Sequence, residues 1–176
     1  MFAAVLLATA FAATAQAQST ARPIQPLGEF SNMRFTEDHA YGYAVQLWRD
    51  GPSVIGLLLV AEGPPSDTPA GLLEHVTFDT RTGALAFTAR LTTGEQLLSG
   101  GGQQPSRDLF VFTGTVRRGE LAGTMKRSDA AQPSRPASSE RIRLRKQTEM
   151  PFPRAATYEE WKRGIDEILK SRGPRW

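Results

Sequence analysis

The rhythm of the connections constrains this chain most. From Gly28 to Gln147, short segments rich in Val, Thr, Phe, Tyr and Leu are cut by turn residues, which is the pattern of strands. The spacing predicts strands near 28–36, 40–49, 53–61, 71–79, 83–92, 107–117, 119–127 and 140–147. Three connections are tight: Arg49-Asp50-Gly51-Pro52, Asp79-Thr80-Arg81-Thr82-Gly83 and Arg117-Arg118-Gly119. Each carries Gly where a hairpin needs positive φ. They are the second, fourth and sixth connections. In an up-and-down meander, alternate connections lie at opposite ends of the sheet. The first connection, Glu37-Asp38-His39, therefore shares one end with the longer segments 62–70, 93–106 and 128–139.

Several strands alternate cleanly. Leu85, Phe87, Ala89 and Leu91 share one face, opposed by Ala84, Ala86, Thr88 and Arg90. Ile142 and Leu144 oppose Arg141, Arg143 and Arg145, a basic stripe that reads as a solvated outer face or a contact for an anionic polymer or lipid headgroup. One buried and one wet face indicate an antiparallel sheet. About eight such strands in a meander close into a barrel, which removes the exposed edges. The expected fold is all-β, an antiparallel up-and-down barrel of about eight strands with one C-terminal α-helix packed outside it.

That helix is read after the Pro-rich linker 148–156. Thr157 and Glu160 make a capping box, and Tyr158, Trp161, Ile165, Ile168 and Leu169 recur at helical spacing over 157–171 before Gly173-Pro174. Its apolar stripe needs a partner. Segment 53–61 is apolar on both faces, with Val54, Leu58 and Val60 against Ile55, Leu57 and Leu59. One face should line the barrel and the other should lie under the helix.

The first fifteen residues are apolar and uncharged, and Ala15-Gln16-Ala17 follows them. An apolar run ending in an A-x-A site predicts a signal peptide over 1–17, a lead-in over 18–27 and an exported barrel domain over 28–147, periplasmic or extracellular. The absence of cysteine excludes disulfides, Cys zinc sites, thiol nucleophiles and a lipid-anchored lipoprotein. No stretch is long and apolar enough for a transmembrane helix, which needs about 20 residues. Lys and Arg exceed Asp and Glu by 21 to 18, with no run of one sign, so no basic arm for nucleic acid is present.

Candidate chemistry gathers at the long-loop end. Asp38 and His39 lie in the first connection, and Arg107 and Asp108 enter the sixth strand. Arg127, Asp129, Arg135 and Glu140 belong to the same end. Adjacent residues on a strand face opposite ways. Arg107 is expected to turn inward, as a fork-shaped donor for an anionic or carbonyl-bearing ligand. Beneath it, Tyr43, Phe87 and Phe112 could line an apolar well, or simply fill the core. His39 and His75 are placed far apart, so no metal site is expected. Ser99-Gly100-Gly101-Gly102 lacks the Lys and helix start of a phosphate loop. No G-x-S-x-G or S-x-x-K motif occurs, and no cofactor is implied.

Gly28-Glu29-Phe30-Ser31-Asn32 resembles the G-x-W-x-N opening of avidin-like barrels and the G-x-W of lipocalins, with Phe in place of Trp. That resemblance implies the barrel architecture and carries no biotin ligand, because the Trp cluster is missing. Three functions are consistent with the sequence. The first is an exported barrel binding a small molecule at the long-loop end. The second is a protein-interaction or inhibitor module, using the same loops against another envelope protein. The third, less favoured, is an isomerase, cyclase or hydrolase using Asp38, His39, Arg107 and Asp108.

Overall fold

The barrel exists because nearly every expected strand finds its neighbour in the chain. The structure, a computed structural model, describes residues 21–97, 100–148 and 155–176. The expected signal peptide and Met150-Pro151-Phe152-Pro153 of the linker lie outside the described residues. The strands are β1 (Gln25–Ser31), β2 (Arg34–Phe35), β3 (Ala40–Asp50), β4 (Ser53–Gly63), β5 (Ala70–Phe78), β6 (Ala84–Leu91), β7 (Glu95–Leu97), β8 (Gln103–Pro105), β9 (Asp108–Arg117), β10 (Glu120–Asp129) and β11 (Ser138–Lys146), followed by α1 (Tyr158–Arg172). The sheet order is β1-β11-β10-β9-β6-β5-β4-β3-β2, and β1 also pairs with β3, closing an eight-stranded antiparallel barrel.

Two expectations need correction. The strand expected over 28–36 starts earlier, at Gln25, and breaks at Asn32-Met33 into β1 and β2. At the break the Asn32 side chain replaces a ladder bond, its Oδ1 accepting from the Tyr43 N–H at 2.8 Å. The loop expected over 93–106 contains its own hairpin, β7 paired with β8.

The tight turns follow their sequence chemistry. Arg118 and Gly119 both have positive φ, as a two-residue type I′ loop requires. Asp79 Oδ1 accepts from the backbone N–H groups of Arg81 and Thr82. Bonds from Thr82 and then Arg81 hold its carboxyl below the usual range.

Inside, Phe30, Leu58, Leu85, Phe87, Phe110, Phe112, Leu121 and Leu144 belong to one buried cluster. Phe87 and Phe112 stack at 5.1 Å. Gly114 and Gly123 face each other across β9 and β10, and a Cβ on Gly114 would lie 2.6 Å from Phe112 Cζ and 2.3 Å from the Ala122 carbonyl oxygen. The glycine pair thus makes room for the ring. Gly114→Ala is expected to cost about 1–3 kcal/mol by overpacking, read as a lower urea midpoint. An unchanged midpoint would show that the wall yields freely.

Outside, a second cluster joins Trp48, Leu57 and Ala70 of the wall to Trp161 and Ile165 of α1, with Ile55 and Leu59 at its margin. Strand β4 therefore works on both faces, as its sequence requires. Thr157 caps α1, accepting from the Glu160 N–H at 3.2 Å, and Glu160 Oε2 accepts from the Ala156 N–H at 2.9 Å. The lead-in fastens the helix start to the barrel. The Ile24 and Tyr158 N–H groups donate to the Ala156 and Arg22 carbonyls, Arg22 pairs with Asp50 at 2.5 Å, and its guanidinium lies over the Tyr158 ring.

Candidate functional site

Strand parity decides what reaches the barrel mouth. Phe110 and Phe112 face inward on β9, so Asp108 does too, while Arg107 is exposed. This reverses the sequence expectation, in which Arg107 turned inward. The signal for the right answer was present: Asp108 shares parity with the two phenylalanines. Arg107 instead ties its loop through the backbone, its carbonyl accepting from the Ala130 N–H at 2.7 Å.

Asp108 is only 4% exposed. On β10, Arg127 shares parity with buried Leu121 and Met125, and it caps the core with its guanidinium 5.5 Å from the Phe110 ring centre. Its Nε donates to Asp108 Oδ1 at 2.9 Å, its Nη1 to both Glu62 oxygens at 2.9 and 2.8 Å, and its Nη2 to Thr93 Oγ1 at 2.5 Å. The other Asp108 oxygen accepts from Ser106 Oγ and from Thr93 Oγ1 at 3.0 Å. Burial pushes the Asp108 carboxyl up, but bonds from Arg127 and Ser106, the Arg127 charge and Thr93 outweigh it and hold it below the usual range. Burial likewise works against the Arg127 charge, and Asp108 and Glu62 more than restore it. Such a pair anchors loops and does not exchange protons near neutrality.

Beside this cluster, the Tyr43 hydroxyl donates to Glu140, and the Tyr43 ring meets Phe110 edge-on at 6.4 Å. Burial first, and then the Glu140 bond and charge, push the Tyr43 hydroxyl far above its ordinary value.

Above the cluster opens a pocket of about 430 Å³, lined among others by Glu62, Thr93, Gln96, Asp129, Arg135 and Ser138, with Asp108 and Arg127 in its floor. Gln96 Nε2 donates to Asp129 Oδ2 at 2.9 Å, fixing the β7–β8 hairpin against the end of β10. The lining is polar and combines the carboxylates of Glu62, Asp108 and Asp129 with the guanidinium of the loop residue Arg135.

Of the residues singled out from sequence, Asp108, Arg127, Asp129 and Arg135 line this pocket, and Tyr43 with its partner Glu140 lies outside the lining. Phe87 and Phe112 lie below in the packed core and do not line it. Asp38 and His39 are exposed in a turn closed by Thr36, whose Oγ1 accepts from the His39 N–H at 3.0 Å. That turn is at the expected end, since Ala40 pairs with Gly63, but outside the pocket lining. Asp38, His39, Arg107 and Asp108 are thus not gathered into one constellation. His75 is exposed, with positive φ at an irregularity in β5. Among the described residues, no three His, Asp or Glu are placed to hold a metal ion, and no helix is long and apolar enough to cross a membrane. Glu62, Thr93, Ser106 and Gln96 were missed from sequence, being ordinary polar residues until the loops fold over the mouth.

Fold and site together define a closed antiparallel barrel with a packed interior and a polar pocket over one mouth. Comparison with protein families, curated proteins and solved structures finds no match for this chain.

Proposed function

We propose that the chain is an exported binding protein whose small, polar ligand sits in the pocket over the mouth and not inside the barrel. The observation that carries this reading is the polar pocket of about 430 Å³ standing on a cluster whose own bonds are complete. Barrels of this strand number either fill with side chains or hold one small ligand, and here aromatic rings fill the centre. Convergent polar groups at the mouth then supply orientation, with Arg135 as the donor for a carbonyl or anionic group. The apolar leader ending in Ala15-Gln16-Ala17 supports export.

Native mass spectrometry of protein purified from its host envelope tests both parts at once. The expected spectrum shows a mature chain beginning at or near Gln18, carrying a small-molecule mass. Arg135→Glu should lose that mass without a change in melting temperature. A chain retaining Met1 would overturn export, and a bare chain would overturn the small ligand.

A protein-interaction module is the second reading. At the same end Leu97 is 78% exposed on the β7–β8 hairpin, Phe35 55% and Tyr41 48%. A co-purifying protein in the same spectrum would favour it.

A further inference from the structure

The barrel is not closed evenly. Beyond a bulge between Pro26 and Gly28, strands β1 and β2 keep one register on β3, with Ser31 opposite Ala44, Arg34 opposite Tyr41 and Phe35 opposite Ala40. On its other side, β1 pairs with β11 only through Phe30–Lys146 and Ser31–Arg145. Strand β11 is laddered to β10 from Ser138 to Arg145. Among the described residues, no strand is hydrogen-bonded to its opposite edge from Ser138 to Leu144. At that height the wall is spanned by side chains, the Tyr43 hydroxyl reaching Glu140.

We propose that this free edge of β11 receives an extended, acidic segment of a partner protein by strand addition. An unpaired edge presents a row of N–H and C=O groups that templates another strand. Ser138, Ser139, Arg141 and Arg143 are exposed along it, and Arg34 is exposed on β2 across the opening. Arg141 and Arg143 lie opposite Thr124 and Ala122 on β10, so neither has a carboxylate as its direct cross-strand neighbour. Arg143 reaches only the Glu120 carboxylate, at 3.9 Å. Alternate residues of a strand stand about 7 Å apart. An incoming strand with acids at alternate positions would therefore meet the arginines in step. Opposite charges across strands stabilise pairing and like charges oppose it. The arginines thus select against a second copy of this chain, whose own edge would set Arg against Arg. This edge meets the mouth pocket only at Ser138, with Arg141 and Arg143 lying outside the pocket lining, and its occupation does not depend on the ligand reading.

The probe is a fluorescein-labelled peptide, Thr-Val-Glu-Val-Glu-Val-Thr, titrated with the full chain and followed by anisotropy. Binding is expected, weakened at least tenfold when every central amide is N-methylated, and at least tenfold when both Glu are Lys. The double variant Arg141→Glu with Arg143→Glu should also lose tenfold at unchanged melting temperature, while Arg135→Glu binds the peptide as before. Three results would each overturn the proposal: no binding of the acidic peptide, equal binding of the N-methylated peptide, which marks charge attraction alone, or a double variant that binds like the parent.

Discussion

Arg127→Met should lower the folding free energy by about 3 kcal/mol at pH 7, because it strands a buried carboxylate. The arginine alone joins Asp108, Glu62 and Thr93 over the core. Methionine keeps much of the aliphatic packing on Phe110 and removes every one of those bonds. Asp108 would remain inside, with only hydroxyls and one backbone N–H for its charge. The figure is set at the low end of the range for broken buried pairs because the Arg127 side chain keeps 32% of its surface in solvent. The pH dependence has a definite sign. A carboxyl whose folded pKa is depressed stabilises the fold above its unfolded value, about 4, and that contribution is lost as pH falls through the folded value. The difference between parent and variant should therefore be full at pH 7 and shrink steadily below pH 4. Urea unfolding at pH 7 and pH 3 measures both. A difference below 1 kcal/mol at pH 7, or one that grows toward acid, would refute the anchoring role.

Trp161→Ala should cost about 3–5 kcal/mol, the range for emptying a buried indole site. Trp161 is 7% exposed, and its ring meets Trp48 at 5.8 Å in an edge-to-face contact. Its loss would leave a cavity between α1 and the wall, bounded by the rigid β3–β4 ladder on one side. At about 2–4 °C per kcal/mol for a chain of this size, the melting temperature should fall by roughly 6–20 °C. A variant that melts within two or three degrees of the parent would mean that α1 rests on the barrel without supporting it.

Residue pattern made the architecture legible where one physical demand dominated. The two apolar faces of Val54–Val60 require a cover on each side, and the barrel interior and α1 supply them. Alternating tight and long connections placed His39, Asp108, Arg127 and Glu140 at one end correctly, since a meander leaves no other arrangement. The break in the first strand was not legible, because it depends on the Asn32 side chain reaching the Tyr43 amide, a contact with no local signature. The Arg107 assignment failed for a different reason. A guanidinium suits an anionic ligand better than a carboxylate does, but strand parity with the inward Phe110 and Phe112 buries Asp108 and turns Arg107 outward. The mouth cluster draws on β4, β9, β10 and the connection after β6, and only the closed ring brings those segments together.

Uneven closure also has a kinetic side. Every wall pairing except those of β1 joins neighbours in the meander or strands separated by a single loop, so most of the sheet can zip up locally. The contacts that complete the ring, among them Phe30–Lys146, Ser31–Arg145, Gln147–Glu29 and Tyr43–Glu140, lie far apart along the chain and carry the largest loop-closure entropy. They should form late, from a curled but open sheet. Held by the short β1–β11 ladder, the bonds of Gln147 to the Glu29 and Ser31 carbonyls and the Tyr43–Glu140 bond, the same line is where the ring should first unroll. Amide exchange should therefore find lower protection along this line than in the β9–β10 wall, with the ring opening into a sheet before its core comes apart.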